Sequence, residues 1–249
     1  MAERKRRRGS FAQGQSPRGR AKRTLAGKRM VIMRLIGLGD SVTAGVFLRP
    51  EDTFLYLLGH RYRMDIVNAG VPGNTSAQGL GRMQEDVLAR NPDVCTVLFG
   101  MNDHVALGPS RPTVPVSEFR SNLERIVQAL NSNRCVPILC TVHSIIEGTD
   151  ASYYYHRHPQ AWYESPSGAQ AWIDQYNEAV RQVAIKTDTR LADAAARWEC
   201  ELHSGTRLAD LLRTKENSGE DDGTHPTAWG HQIYAECIGE HLAELLKHR

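Results

Sequence analysis

Three side chains in this sequence have the types and spacing to act as nucleophile, base and orienting acid. Ser41 ends the stretch LIGLGDS (35–41), where an apolar run breaks at Gly39 and Asp40. Far downstream, DDGTHPTAWGH (221–231) places Asp222 three residues before His225. Pro226 restricts His225 to extended backbone and itself suits the first turn of a helix. Gly223 lets the chain turn, so the Asp222 carboxylate can curl back to the imidazole and fix its tautomer. In that arrangement His225 takes the Ser41 hydroxyl proton and the serine attacks an acyl carbonyl. The plainer alternative is an aspartate capping a helix beside a solvent-facing histidine.

An attacked carbonyl develops negative charge, and that charge needs hydrogen-bond donors. NAGVPGNTS (68–76) carries Gly70 and Gly73, which let bare backbone N–H groups approach a ligand closely. GMNDH (100–104) adds Asn102, whose side-chain amide could point at a developing oxyanion or make an ordinary Asx turn. The expected oxyanion donors are the N–H groups of Ser41 and Gly73 and the Asn102 amide. Asp40 is expected to brace the turn that presents Ser41.

These motifs need a scaffold that brings strand ends together. Apolar runs read as buried strands at 31–39, 65–70, 93–100 and 135–142, with a weaker fifth at 189–195. Helical patterns fall at 52–62, 78–90, 116–133, 169–186 and 226–249. In the third of these, Phe119, Leu123, Ile126, Val127 and Leu130 recur at the spacing of one buried face. Continuous apolar strands separated by helices predict a parallel sheet covered on both faces, with chemistry at the strands' carboxyl ends.

GDSV (39–42), NAGVPGNTS (68–76), GMND (100–103) and DGTHP (222–226) together resemble the four motif blocks of the SGNH hydrolases, also called GDSL esterases and lipases. The resemblance spans about residues 30–249. It implies a three-layer α/β/α sandwich around a five-stranded parallel sheet in flavodoxin-like order. It also implies catalytic Ser41, Asp222 and His225, with Ser41, Gly73 and Asn102 at the oxyanion hole. Val42, Asn74 and Met101 depart from the commonest family residues, and none of these changes removes a catalytic group. No GxSxG nucleophile elbow occurs, so the common α/β-hydrolase arrangement fits less well.

The expected activity is cleavage of a carboxylic ester: a short- to medium-chain acyl ester, an acetylated carbohydrate or a lysophospholipid. Acyl transfer and thioester cleavage remain open on the same acyl-enzyme. So does a non-catalytic binder tethered to nucleic acid or anionic surfaces. The long connection 143–168 contains YYYHRHPQAWYE, a lid or recognition element by its length. Tyr153, Tyr155 and Trp162 are candidate substrate-binding residues there, the alternative being aromatics that pack onto the body. His156 and His158 lack a third ligand nearby, and no CxxC pair or HExxH is present. No metal or other cofactor is expected.

The chain has 249 residues and a net charge of +3, which hides two opposite parts. Residues 1–29 hold eleven Lys/Arg and one acid, whereas residues 30–249 hold 20 basic and 27 acidic residues. The first part reads as a disordered basic tail and the second as a single domain. The tail is either an arm for nucleic acid around RKRRR or a solvated extension. It could also be sequence upstream of the start, since Met30 and Met33 precede the first strand. No apolar run approaches the ~18 residues of a membrane span, and Arg34 interrupts any secretory core. Five scattered cysteines suggest free thiols, so a cytoplasmic location is expected.

Overall fold

The computed structural model describes residues 32–247. Both readings of residues 1–29 lie outside that range. Five strands run in parallel: β1 (Arg34–Gly39), β2 (Asp65–Gly70), β3 (Val94–Leu98), β4 (Val136–Cys140) and β5 (Arg190–Ala192), in the order β2-β1-β3-β4-β5. The long helices are α2 (Phe54–Tyr62), α3 (Ser76–Asp86), α4 (Val116–Ser132), α6 (Ala169–Lys186), α7 (Ala194–His203) and α10 (Ala228–Lys247). Short helices α1 (Ser41–Ala44), α5 (Tyr153–Arg157), α8 (Leu208–Leu211) and α9 (Lys215–Ser218) stand between them.

Period-two alternation sorts the strand residues onto two cores. Leu35, Val94, Leu98, Ile138 and Cys140 face one side, where they pack with Phe54, Trp198 and Tyr234 of α2, α7 and α10. Ile36, Leu38, Cys95, Val97 and Leu139 face the other, toward Phe119, Ile126 and Val180 of α4 and α6. The strands are therefore covered on both faces, giving the three-layer α/β/α sandwich expected from their unbroken apolar runs. The five buried positions foreseen on α4 are all buried, and Asn122 joins them.

Strand order places the site. The chain leaves β1 for β2 on one side and crosses to β3 on the other. At the carboxyl ends of β1 and β3, successive connections depart in opposite directions and open a crevice. The loops bearing Ser41 and Asn102 begin there.

Local chemistry moves several element ends from their expected places. The second long helix, α3, starts at Ser76 because Thr75 and Gln78 form a reciprocal capping box. It ends at Asp86, and a separate 3₁₀ turn follows at Leu88–Arg90. The run 189–195 is half strand and half helix: Asp193 accepts the Ala196 N–H and starts α7. Helices α1, α5 and α7–α9 were not foreseen.

Phe119 is fully buried and meets Tyr176 edge to face at 5.0 Å between ring centroids. Phe119→Ala should cost about 3–5 kcal/mol of unfolding free energy, measured by urea titration. A loss below about 1 kcal/mol would contradict this packing.

Candidate active site

Ser41 is the first residue of α1, and the Asp40 carboxylate caps that helix by accepting the Val42 N–H at 2.9 Å. Gly39 allows the close approach. A Cβ there would fall 2.6 Å from the Leu98 carbonyl oxygen on β3 and 2.1 Å from Thr43 Oγ1. The other Asp40 oxygen accepts from Asn102 Nδ2 at 3.1 Å. Asp40 is completely buried, and burial pushes its carboxyl up to about 7. It braces the serine turn, and it also ties that turn to the loop after β3.

His225 Nε2 lies 3.2 Å from Ser41 Oγ, and His225 Nδ1 lies 2.9 Å from Asp222 Oδ2. Asp222 Oδ1 also accepts the backbone N–H groups of Thr224 and His225, at 3.0 and 3.1 Å. Burial pushes the Asp222 carboxyl up. The bond and charge of His225 and these backbone donors outweigh burial and hold it below the ordinary carboxylate range. An ionised Asp222 requires the proton on Nδ1, which leaves Nε2 free to accept from the serine hydroxyl.

The two remaining oxyanion candidates differ in their surroundings. Gly73 has φ +78°, and a Cβ there would meet nothing within 4 Å. Asn102 Nδ2 has one partner in Asp40 and a second, at 3.1 Å, in the Asn74 carbonyl. Both amide hydrogens are thus engaged, and an oxyanion must displace the Asn74 carbonyl to gain one.

A cleft of about 620 Å³ opens at Ser41, Asn102, Asp222 and His225. It is lined by apolar Phe47, Met101, Val105 and Tyr154 and by polar Arg157, His158, Arg213, Glu220 and Asp221. Tyr153, Tyr155 and Trp162 do not line it. Tyr155 is buried, donating its hydroxyl proton to Glu147 at 2.6 Å and accepting the Ala169 N–H. Tyr153 packs over Gly223, and Trp162 lies partly buried against the core. In that segment Tyr154, Arg157 and His158 reach the cleft instead.

The segment is pinned. His104 Nδ1 donates to the Gly100 carbonyl, so its Nε2 accepts from Tyr154, which in turn accepts from Tyr163. Arg157 donates to the carbonyl oxygens of Asp221 and Asp222 at 2.7 and 2.6 Å. Helix α5 is therefore a fixed wall clamped to the Asp222 loop.

His143 supports the same loop from within and was missed in the sequence. It donates from Nε2 to the Thr224 carbonyl at 2.8 Å and accepts from Tyr234 at Nδ1. Its signal was a histidine directly after the fourth strand. Phe47 and Arg213 gave no signal. Arg213 lies 4.3 Å over the Phe47 ring, and that ring meets the His225 ring edge-on at 5.1 Å. Among the described residues no group of three or more His, Cys, Asp or Glu is placed to hold a metal ion.

A model of the GDSL-like lipase/acylhydrolase family matches residues 38–233. The lipoprotein YqeF of Bacillus subtilis (strain 168), itself uncharacterized, is 32% identical over 214 residues, covering 82% of this chain and 87% of that one. An acetylxylan esterase of Geobacillus stearothermophilus is 25% identical over 227 residues, covering 82% of this chain and 91% of that one. Among solved structures, a lipase/acylhydrolase from Enterococcus faecalis shares the fold with a TM-score of 0.64. It is 21% identical and covers 85% of this chain and 95% of that one.

Two outcomes test this geometry. Asp222→Asn should lower kcat/KM by about 10³–10⁴-fold, because the ring then takes the wrong tautomer. A loss under about tenfold would contradict the assigned tautomer. Burial pushes His143 down to about 4 from an ordinary 6.5. The unfolded chain then takes the proton first, so the neutral ring's contribution is complete above pH 6.5 and is lost as pH falls toward 4. His143→Gln should therefore destabilise more at pH 8 than at pH 5 in urea unfolding. An equal loss at both would contradict a buried neutral ring.

Proposed function

Because the chain is a serine ester hydrolase of the GDSL-like lipase/acylhydrolase family, we propose that it forms an acyl-enzyme on Ser41 and cleaves short acyl esters carried by a carbohydrate. The observation that carries this reading is the continuous chain from Asp222 through His225 to Ser41 at the floor of the cleft.

As Ser41 Oγ attacks the ester carbonyl, its proton passes to His225 Nε2. The carbonyl π electrons move to oxygen, which the N–H groups of Ser41 and Gly73 and the Asn102 amide hold. Collapse breaks the bond to the alcohol oxygen, which takes the proton from His225 and departs. Water then enters, gives a proton to the same ring and attacks the acyl-serine. The acid leaves, and the proton returns to Ser41. Asp222 stays ionised throughout and steadies the imidazolium that forms in both halves.

Two features support a short acyl group on a polar alcohol. The apolar lining comes from four side chains, Met101, Val105, Tyr154 and Phe47, and beside them Arg157, His158, Glu220 and Asp221 offer hydrogen bonds to hydroxyl groups. The relative from Geobacillus stearothermophilus is an acetylxylan esterase.

A p-nitrophenyl ester series from acetyl to palmitoyl, with an acetylated oligosaccharide alongside, tests the reading. Acetyl should give the highest kcat/KM, and Ser41→Ala should fall to the rate of buffer. Preference for the long chains would overturn the substrate class, and turnover surviving in Ser41→Ala would overturn the mechanism.

A further inference from the structure

Arg82 does not line the cleft, yet its guanidinium joins two of the segments that do the proposed chemistry and reaches the third through one hydrogen bond. From α3, Nη2 donates to the Gly39 carbonyl and Nη1 to the Ala69 carbonyl, both at 2.8 Å. Nε donates to Asn74 Oδ1 at 2.8 Å, and Nη1 also meets Asp86 at 2.9 Å, one helical turn away. Gly39 and Ala69 stand at the carboxyl ends of the adjacent strands β1 and β2, where Leu38 pairs with Ala69. Gly39 lies two residues before Ser41. Asn74 follows Gly73, and its own carbonyl accepts from Asn102.

One planar fork therefore holds, within one or two residues or one hydrogen bond, all three oxyanion donors. Four bonds in fixed directions suit a guanidinium, whereas a lysine ammonium on a flexible stem cannot reproduce the fork. The Arg82 side chain is 17% exposed, and Asp86 offsets part of its charge while steadying its rotamer.

We propose that Arg82 is a positioning residue that pre-sets the oxyanion hole, fixing the Ser41 turn, the Gly73–Asn74 loop and, through Asn74, the Asn102 amide. The proposal rests on the oxyanion roles assigned above. The preset Ser41 and Gly73 N–H groups act on the transition state because they need no rearrangement when charge develops, and the Asn102 amide, held in place, has only to exchange the Asn74 carbonyl for the oxyanion. Loosening them lowers kcat and leaves KM to the cleft walls, which Arg82 does not form.

The test is steady-state hydrolysis of p-nitrophenyl acetate by Arg82→Met, Arg82→Ala, Arg82→Lys and Asn74→Ala, beside the unaltered protein and Ser41→Ala. Arg82→Met should lose about 10–100-fold in kcat with KM within about twofold. Arg82→Lys should recover little, and Asn74→Ala, which cuts one of the four bonds, should lose less. Added guanidinium salt should raise kcat of Arg82→Ala in a concentration-dependent way and leave Ser41→Ala inactive. A kcat within twofold of the unaltered protein in Arg82→Met overturns the proposal, as does a loss carried by KM alone. Should the Arg82 variants fail to fold, an undiminished kcat in Asn74→Ala overturns it. Absence of Ser41-dependent turnover in the unaltered protein overturns the esterase reading and this inference with it.

Discussion

The whole site hangs on one buried carboxyl, Asp40, at the end of β1. It is shut off from water and bonded on one side to the start of the serine helix and on the other to the Asn102 amide. A buried polar group that is fully partnered is rigid, because releasing either partner leaves an unsatisfied group in a poor solvent. Asp40 thereby fixes the distance between the β1 and β3 loops across the crevice that the strand order opens. Asp103, one residue beyond Asn102, does the same for the next loop. It accepts the backbone N–H and hydroxyl of Ser76 at the head of α3, and burial pushes it up to about 6.

The opposite wall is held by a different logic. The Asp222–His225 loop carries no regular ladder, and its carbonyl oxygens are satisfied from several directions: Arg157 donates to that of Asp222 from outside, His143 to that of Thr224 from inside, and the backbone N–H groups of Ile146 and Arg213 to those of Gly223 and His225. The backbone N–H groups of Thr224 and His225 turn onto Asp222 itself. The acid that orients the base is thus also the residue that shapes the loop carrying it. The serine side is set by buried carboxyls and the histidine side by donors gathered around the loop's carbonyls. The two meet across 3.2 Å.

Much of this was legible in the sequence because it rests on local pattern. Unbroken apolar runs announce doubly covered strands, and Pro226 and Gly223 mark the turn that lets Asp222 reach His225. The strand β2 and the helices α4 and α6 fall within a residue of their expected limits for the same reason. What stayed hidden depends on residues distant in sequence. Tyr153, Tyr154 and Tyr155 are consecutive and alike, and only the fold decides that the second reaches the cleft while the others pack elsewhere. The reach of Arg82 to Gly39, 43 positions away, has no local signature. Nor does the stacking of His143 on Trp198, at 4.6 Å between ring centroids. Helix α7 was missed because an apolar run of small residues suits strand and helix alike until Asp193 caps it.

The central claim is that Ser41 becomes covalently acylated during turnover. Mixing the protein with p-nitrophenyl acetate, quenching in acid at early times and mapping peptides by mass measures this directly. The account predicts one acetyl group on the peptide carrying Ser41, appearing with the first burst of p-nitrophenol and absent from Ser41→Ala. Steady turnover with Ser41 unmodified throughout, or an acetyl group held on another side chain, would contradict it.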